Sequence, residues 1–131
     1  GKVAEMVEGE HAARAEIPVI KRFTGGGTIV CDAQTLFASF IIAEGALPLV
    51  QPYPDPILQW TGEVYDEALR ACGVSDFRVN ANDYCIGQLK FGGNAQAISG
   101  KRWLHHTSLL WRFEPERMRL LKMPPRQPEY R

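Results

Sequence analysis

Apolar and polar positions divide this chain into short extended runs around one strong helix. Thr35–Ala43, with Leu36, Phe37, Phe40, Ile41 and Ile42, reads as a central strand. Ile17–Phe23 and Thr28–Cys31 are β-branched runs on either side of a glycine turn and predict two more. Pro48, Pro52, Pro54 and Pro56 make the stretch from 48 to 56 an extended loop. A helix follows, with Asp55 as N-cap, Pro56 in the first turn and Gly73 as terminator. Its predicted apolar stripe is Ile57, Trp60, Val64, Ala68 and Ala71. Gly62 inside that helix costs about 1 kcal/mol relative to alanine, which points to a packing reason or a kink.

Beyond Gly73, the runs Phe77–Val79, Tyr84–Gly87, Phe91–Ile98 and Trp103–Trp111 are separated by Asn, Gly and Ser-Gly turns and predict four strands. Val3 to Ala15 has a helix-forming composition, and a short helix is expected from Pro115 to about Met123. Joining segments near 20, 40, 90 and 105 into one sheet gives an α+β fold, with a mixed, largely antiparallel sheet flanked by helices.

Composition narrows the function classes. At 131 residues the chain is one domain, able to bury about two-thirds of its unfolded surface. No apolar run approaches the ~20 residues that span a bilayer, and no basic-then-apolar leader opens the chain, so an intracellular protein without a membrane role is expected. Zero net charge argues against a general nucleic-acid surface. Near the C-terminus, Arg112, Arg117, Arg119, Lys122, Arg126 and Arg131 outnumber Glu114, Glu116 and Glu129, which reads as a solvated basic tail. Cys31, Cys72 and Cys85 are odd in number and lack metal-motif spacing, so they are expected as small buried hydrophobes.

Two glycine-rich elements carry the candidate chemistry. Lys21-Arg22-Phe23-Thr24-Gly25-Gly26-Gly27-Thr28 sets a glycine triplet between a basic pair and a β-branched run. Without Cβ atoms, successive N–H groups can converge on an anion, and Arg22 adds a forked, permanently charged donor. The second element, Gln88-Leu89-Lys90-Phe91-Gly92-Gly93-Asn94-Ala95, places a lysine just before a Gly-Gly-Asn turn. Neither fits the phosphate-loop or dinucleotide pattern: there is no Gly-Lys-Ser/Thr, and Val30 stands where the third dinucleotide glycine would be.

Together with Trp103-Leu104-His105-His106-Thr107-Ser108-Leu109-Leu110, these elements resemble the ordered signatures of the lipoate–protein ligase family. Arg22 to Val30 with Asp32 is similar to the first signature, Lys90 to Ala95 to the lysine-bearing loop, and the His-His strand to the third. The resemblance covers residues 15–125 and extends to biotin ligases and octanoyltransferases, which share a class II synthetase-like catalytic fold. It implies that residues 1–131 are the central part of such a domain, with further chain on both sides. Phe23 departs from the small polar residue often found there.

The resemblance assigns Lys90 as the catalytic residue, contacting both a lipoate carboxylate and the ATP α-phosphate. It assigns Arg22, Gly25, Gly26, Gly27, Thr28, Ile29 and Val30 to the nucleotide, and Gly92, Gly93, Asn94 and His106, with Lys90, to lipoate. ATP, Mg2+ and lipoate or octanoate are the implied small molecules. The implied acceptors are lipoyl domains of 2-oxoacid dehydrogenase complexes or the glycine cleavage H protein, in the cytoplasm or an organelle. Asp32 and Asp83 are loop anchors first and magnesium ligands second, since neither has a partner at metal-ligand spacing. His105 and His106 point to opposite faces of a strand, so at most one meets a ligand. Val19, Phe40, Phe91 and Leu109 are the candidate wall for the acyl chain, and equally describe an ordinary core.

Three functions compete at this level: ATP-dependent ligation, ATP-independent octanoyl or lipoyl transfer from an acyl carrier protein, and a non-catalytic fragment of the fold. A thioester route would need Cys31 or Cys85 as a thiolate.

Overall fold

A computed structural model describes residues 2–123, so Arg126, Glu129 and Arg131 of the expected basic tail lie outside the described residues. The strands are Thr35–Ala43 (β1), Phe77–Asn80 (β2), Asp83–Ile86 (β3), Leu89–Ser99 (β4) and Arg102–Leu110 (β5). They form one five-stranded sheet in the order β1-β5-β4-β3-β2, and every pairing is antiparallel. The four strands expected after Gly73 are all present. β1 has the expected extent but lies at the edge of this sheet, not its centre, paired along its length to β5.

Pro54–Ala71 (α3) packs across one face of the sheet. It starts two residues earlier than expected, with Tyr53 as N-cap and Pro54 in the first turn, where a missing N–H costs nothing. Its end is as expected: the Val74 amide bonds Leu69 O, the Gly73 amide bonds Arg70 O, and Gly73 adopts φ +84, closing a Schellman motif. The buried stripe is Ile57, Leu58, Thr61, Gly62 and Tyr65, displaced from the expected one; Ala68 and Ala71 are exposed. Fully burying Ile57 contributes about 2 kcal/mol. A Cβ on Gly62 would lie 2.7 Å from Val79 Cγ2, so this glycine lets α3 approach β2.

Aromatic rings fill the space between helix and sheet: Phe40 against Trp60, Trp60 against Trp103, and Tyr65 edge-on to Tyr84 with centroids 5.2 Å apart. Phe40, Phe91 and Leu109 are partly buried and pack on this core beside Leu58, Tyr65 and Tyr84, as the ordinary-core alternative has them. Val19 is exposed.

The N-terminal helix is interrupted. Val3–Met6 (α1) and Gly9–Arg14 (α2) flank Val7, which forms a β-bridge with Leu121. Val7, Ala12 and Leu120 make a second small core, packed by Met6, Ile17 and Val30. The closing helix, Pro115–Met118 (α4), stops short of Met123 because the chain turns to make that bridge. The expected strands Ile17–Phe23 and Thr28–Cys31 are not formed. With no partner ladder the runs stay irregular, leaving Ile20 and Phe23 more than four-fifths exposed, at 85% and 82%.

Candidate functional site

Lys90 lies within β4 and not in a loop, and its aim depends on a bulge. β3 and β4 pair Tyr84 with Gly92 but Cys85 with Lys90, so Phe91 is an extra residue on β4. Such a bulge bends the strand and re-aims neighbouring side chains. Here Phe91 packs into the core while Lys90 turns over Gly93: a Cβ at Gly93 would sit 3.6 Å from Lys90 Nζ. The ammonium lies 2.6 Å from Asp83 Oδ1, and the Asp83 side chain is only 7% exposed. Gly92 has a different role, since a Cβ there would come within 2.6 Å of Leu109 Cδ2 and 3.2 Å of Ser108 O. Asn94 Nδ2 donates to Asn82 O at 2.7 Å, tying β4 to the β2–β3 turn.

The glycine triplet approaches the same strand. A Cβ on Gly26 would lie 3.6 Å from Asn94 O, so the two glycine-rich elements meet. Gly26 has φ +102, a conformation that favours glycine. Arg22 Nη2 donates to Gly25 O at 2.9 Å and Gly27 O at 2.7 Å, folding the loop on its own guanidinium. Arg22 Nε and Thr24 Oγ1 are buried there without hydrogen-bond partners, leaving one charged N–H and one hydroxyl unspent beside the glycines. Beyond the triplet, Thr28 Oγ1 donates to Met6 Sδ, Ile29 is exposed, and Val30 packs on the small core.

The two histidines face opposite ways, as expected. His106 is on the face away from α3, its Nδ1 2.6 Å from Ser39 Oγ and its ring stacked on Phe37. By strand register Ala95 stands opposite it, and Gly93 and Ala97 share that face of β4. His105 is fully buried under α3, with Nε2 2.8 Å from Tyr84 OH, which lies 2.7 Å from Thr61 Oγ1. Burial pushes the His105 pKa down to about 4, with His106 adding to the effect, and pushes Tyr84 up to about 12.

Asp32 is a loop anchor, as expected: Oδ1 accepts from the Gln34 amide at 2.8 Å, and Oδ2 lies 2.7 Å from Arg117 Nε. Among the described residues no three His, Cys, Asp or Glu side chains converge on a metal position. Since Asp32 and Asp83 each face a cation, this donor set does not fit a protein-held magnesium ion. Cys85 is buried, whereas Cys31 and Cys72 are exposed and so are not the core residues expected. Burial and then Asp83 raise the Cys85 pKa against Arg78 and Lys90; burial and then Asp32 raise that of Cys31 against Arg22. A groove of about 540 Å³ between α3 and β2, lined in part by Leu58, Asp66, Phe77 and Val79, includes none of these site residues.

Sequence reasoning missed Asp83 as the partner of Lys90, and Ser39 and Phe37 as the supports of His106. The first was encoded in the Gly87-Gln88 hairpin turn, which folds 83–86 onto the start of β4. The second needed the β1–β5 register, which no local signal supplies.

The chain belongs to the lipoyl protein ligase A/B catalytic domain family, whose profile matches residues 1–129. It is 29% identical to the inactive lipoate–protein ligase 2 of Plasmodium falciparum, over 88% of this chain and 38% of that protein. It is 30% identical to lipoate–protein ligase 1 of Staphylococcus aureus, over 81% of this chain and 30% of that one. The chain thus spans well under half the length of these two relatives.

Its fold matches a bipartite lipoate protein ligase of Thermoplasma acidophilum, solved in a study with its E2 lipoyl domain, at TM-score 0.80 and 23% identity, over 95% of this chain and 48% of that one. It also matches a lipoate-protein ligase A bound with ATP, at TM-score 0.81 and 21% identity, over 95% of this chain and 53% of that one. The five-stranded antiparallel sheet with its helices is therefore the ligase fold. One relative being inactive means that membership alone does not decide activity, which rests on the site residues.

Proposed function

We propose that this chain carries the acyl-activating site of a lipoate–protein ligase, with Lys90 as its catalytic residue. The observation that carries the reading is the Lys90 ammonium held over Gly93 by Asp83, on the strand that the glycine triplet approaches at Asn94. In this reading a lipoate or octanoate carboxylate attacks the α-phosphorus of ATP, pyrophosphate leaves, and an acyl-adenylate remains. An acceptor lysine amine then attacks the acyl carbon, and AMP departs. The first step brings two anions together, and a fixed ammonium beside both offsets that repulsion. Arg22 and residues 25–30 hold the nucleotide; Gly93, Asn94 and His106 border the acyl group, with Gly92 supporting the strand. The acceptor class is a lipoyl domain or the H protein, inside the cell where ATP is available. Magnesium would travel with the ATP phosphates, neutralising their charge. Lipoate-dependent ATP–pyrophosphate exchange by the protein tests the proposal; no exchange with either lipoate or octanoate overturns it.

The nucleotide assignment has a clean test. Cβ atoms built on Gly25 and Gly27 meet nothing within 4 Å, and neither residue has a positive φ. Gly25→Ala and Gly27→Ala are therefore expected to leave stability unchanged or raised by about 0.5 kcal/mol through the unfolded state. ATP affinity should fall at least several-fold at one of them, because the methyl occupies space meant for the ligand. Calorimetric titration giving wild-type affinity for both variants would reduce the triplet to a turn.

Cysteine chemistry is not needed for this reaction, since the adenylate is itself the activated donor. Replacing Cys31, Cys72 and Cys85 together by Ala or Ser should preserve ATP-dependent transfer with a modest stability loss at buried Cys85. Trapping an octanoyl thioester on one of them, in a folded chain that a single substitution there inactivates, would replace the ligase with the ATP-independent transferase.

A further inference from the structure

The segment from 17 to 34 joins α2 to β1 without any strand ladder, yet it contains the proposed nucleotide loop. Ordering a glycine triplet is entropically costly, so such a loop must be held from outside to present its amides in a fixed arrangement. Among the described residues, its side-chain ties lead mainly to one place. Thr28 reaches Met6, Ile17 and Val30 pack on Val7, Ala12 and Leu120, and Asp32 meets Arg117. That place is the clasp formed where the chain from α4 onward lies against α1 and α2. It is fixed by the Val7–Leu121 bridge, the Glu8 amide on Leu120 O at 2.9 Å and Lys122 Nζ on Ala4 O at 2.7 Å.

Asp32 is the hinge between the loop and the sheet. Oδ1 organises the turn into β1 through the Gln34 amide and the Thr35 hydroxyl, while Oδ2 faces Arg117 on α4. The carboxylate is 13% exposed and the Arg117 side chain 50%, so the pair is partly shielded from solvent. We propose that Arg117 is a positioning residue for the nucleotide loop, acting through Asp32 to fix where that loop leaves the sheet. The inference rests on the reading of residues 22–30 as the nucleotide site. It assigns to α4 a part in ATP binding through Asp32, outside residues 22–30.

The experiment is ATP–pyrophosphate exchange by the protein with ATP and lipoate varied separately, alongside thermal melting. Arg117→Met should raise KM for ATP about five-fold, the size of one partly exposed ion pair, with KM for lipoate unchanged. Arg117→Lys should recover most of that loss. Asp32→Asn, which keeps an acceptor for the turn but removes the charge, should match Arg117→Met, and the double variant should be no worse than either. An unchanged KM for ATP in both single variants overturns the inference, as does an equal rise in both KM values. Additive losses in the double variant overturn it too. Gly27→Ala separates the two levels. If it or Gly25→Ala raises KM for ATP while Arg117→Met does not, only the positioning role fails; if none of the three does, the nucleotide site itself is misplaced and both fall.

Discussion

Lys90→Ala is expected to lower lipoate-dependent ATP–pyrophosphate exchange by at least about a hundred-fold, the usual cost of removing one charged group aimed at a transition state. It should also lower the melting temperature. Asp83 is 7% exposed with its Oδ1 2.6 Å from the ammonium, and removing the lysine takes the cation from a nearly buried carboxylate. Breaking a buried ion pair costs about 3–5 kcal/mol, and the further contact that Asp83 keeps and the 29% exposure of Lys90 place this case below that range. A loss of exchange in Lys90→Ala alone would therefore mix chemistry with folding. Asp83→Asn in the same chain separates them: the neutral amide no longer needs a counter-ion, so melting should return toward wild type while exchange stays abolished. If exchange returned with the melting temperature, Lys90 would be a structural cation and the catalytic assignment would be wrong.

That second variant is required because the sequence misplaced Lys90. Glycines on its C-terminal side read as a loop, but in β4 they serve two strand-bound purposes. Gly92 makes room for Leu109, and Gly93 for the lysine that the Phe91 bulge redirects. The hairpins from Phe77 to Leu110 were legible because each is closed by a local turn, Ala81-Asn82, Gly87-Gln88 or Gly100-Lys101. β1 was legible in extent but not in position. Its apolar residues fall on both faces, which reads as burial on both sides; yet Leu36 and Ile41 are 60% and 65% exposed at the sheet edge. The runs 17–23 and 28–31 failed as strands for a related reason, since β-propensity describes fit to a partner that these residues lack here.

The phase of α3 was misread because its buried stripe is partly polar. Thr61 and Tyr65 stand where an apolar pattern has gaps, and both satisfy their hydroxyls inside the core. Thr61 Oγ1 donates to Ile57 O or Leu58 O, and Tyr65 OH donates to Thr107 Oγ1. Of the site, the two glycine elements and His106 were legible from residue type and order. The ion pair Asp83–Lys90 was encoded in its local hairpin but hidden by the Phe91 bulge, and Asp32–Arg117 was not legible because it joins residues far apart in the chain.

The same polar core makes stability fall in mild acid. Each hydroxyl in it has one hydrogen to give. With Thr61 donating to a helix carbonyl, Tyr84 donates to Thr61 and His105 Nε2–H donates to Tyr84, leaving the His105 Nδ1 lone pair unmatched. Protonating Nδ1 would create a buried cation among Thr61 of α3, Tyr84 of β3 and the neighbouring His106, and among the described residues no carboxylate acts to stabilise it. The folded pKa of about 4 lies below the ordinary 6.5, so between those values the unfolded chain binds the extra proton. The stabilisation is complete above pH 6.5 and is lost as pH falls toward 4, by roughly 3 kcal/mol in all. Denaturant unfolding from pH 7.5 to 4 should show this decline. His105→Gln, which keeps an amide donor for Tyr84 but cannot titrate, should be less stable at pH 7.5 yet flatter with pH. Parallel profiles for the two proteins would show that the acid sensitivity comes from carboxylates elsewhere and that His105 is not its source.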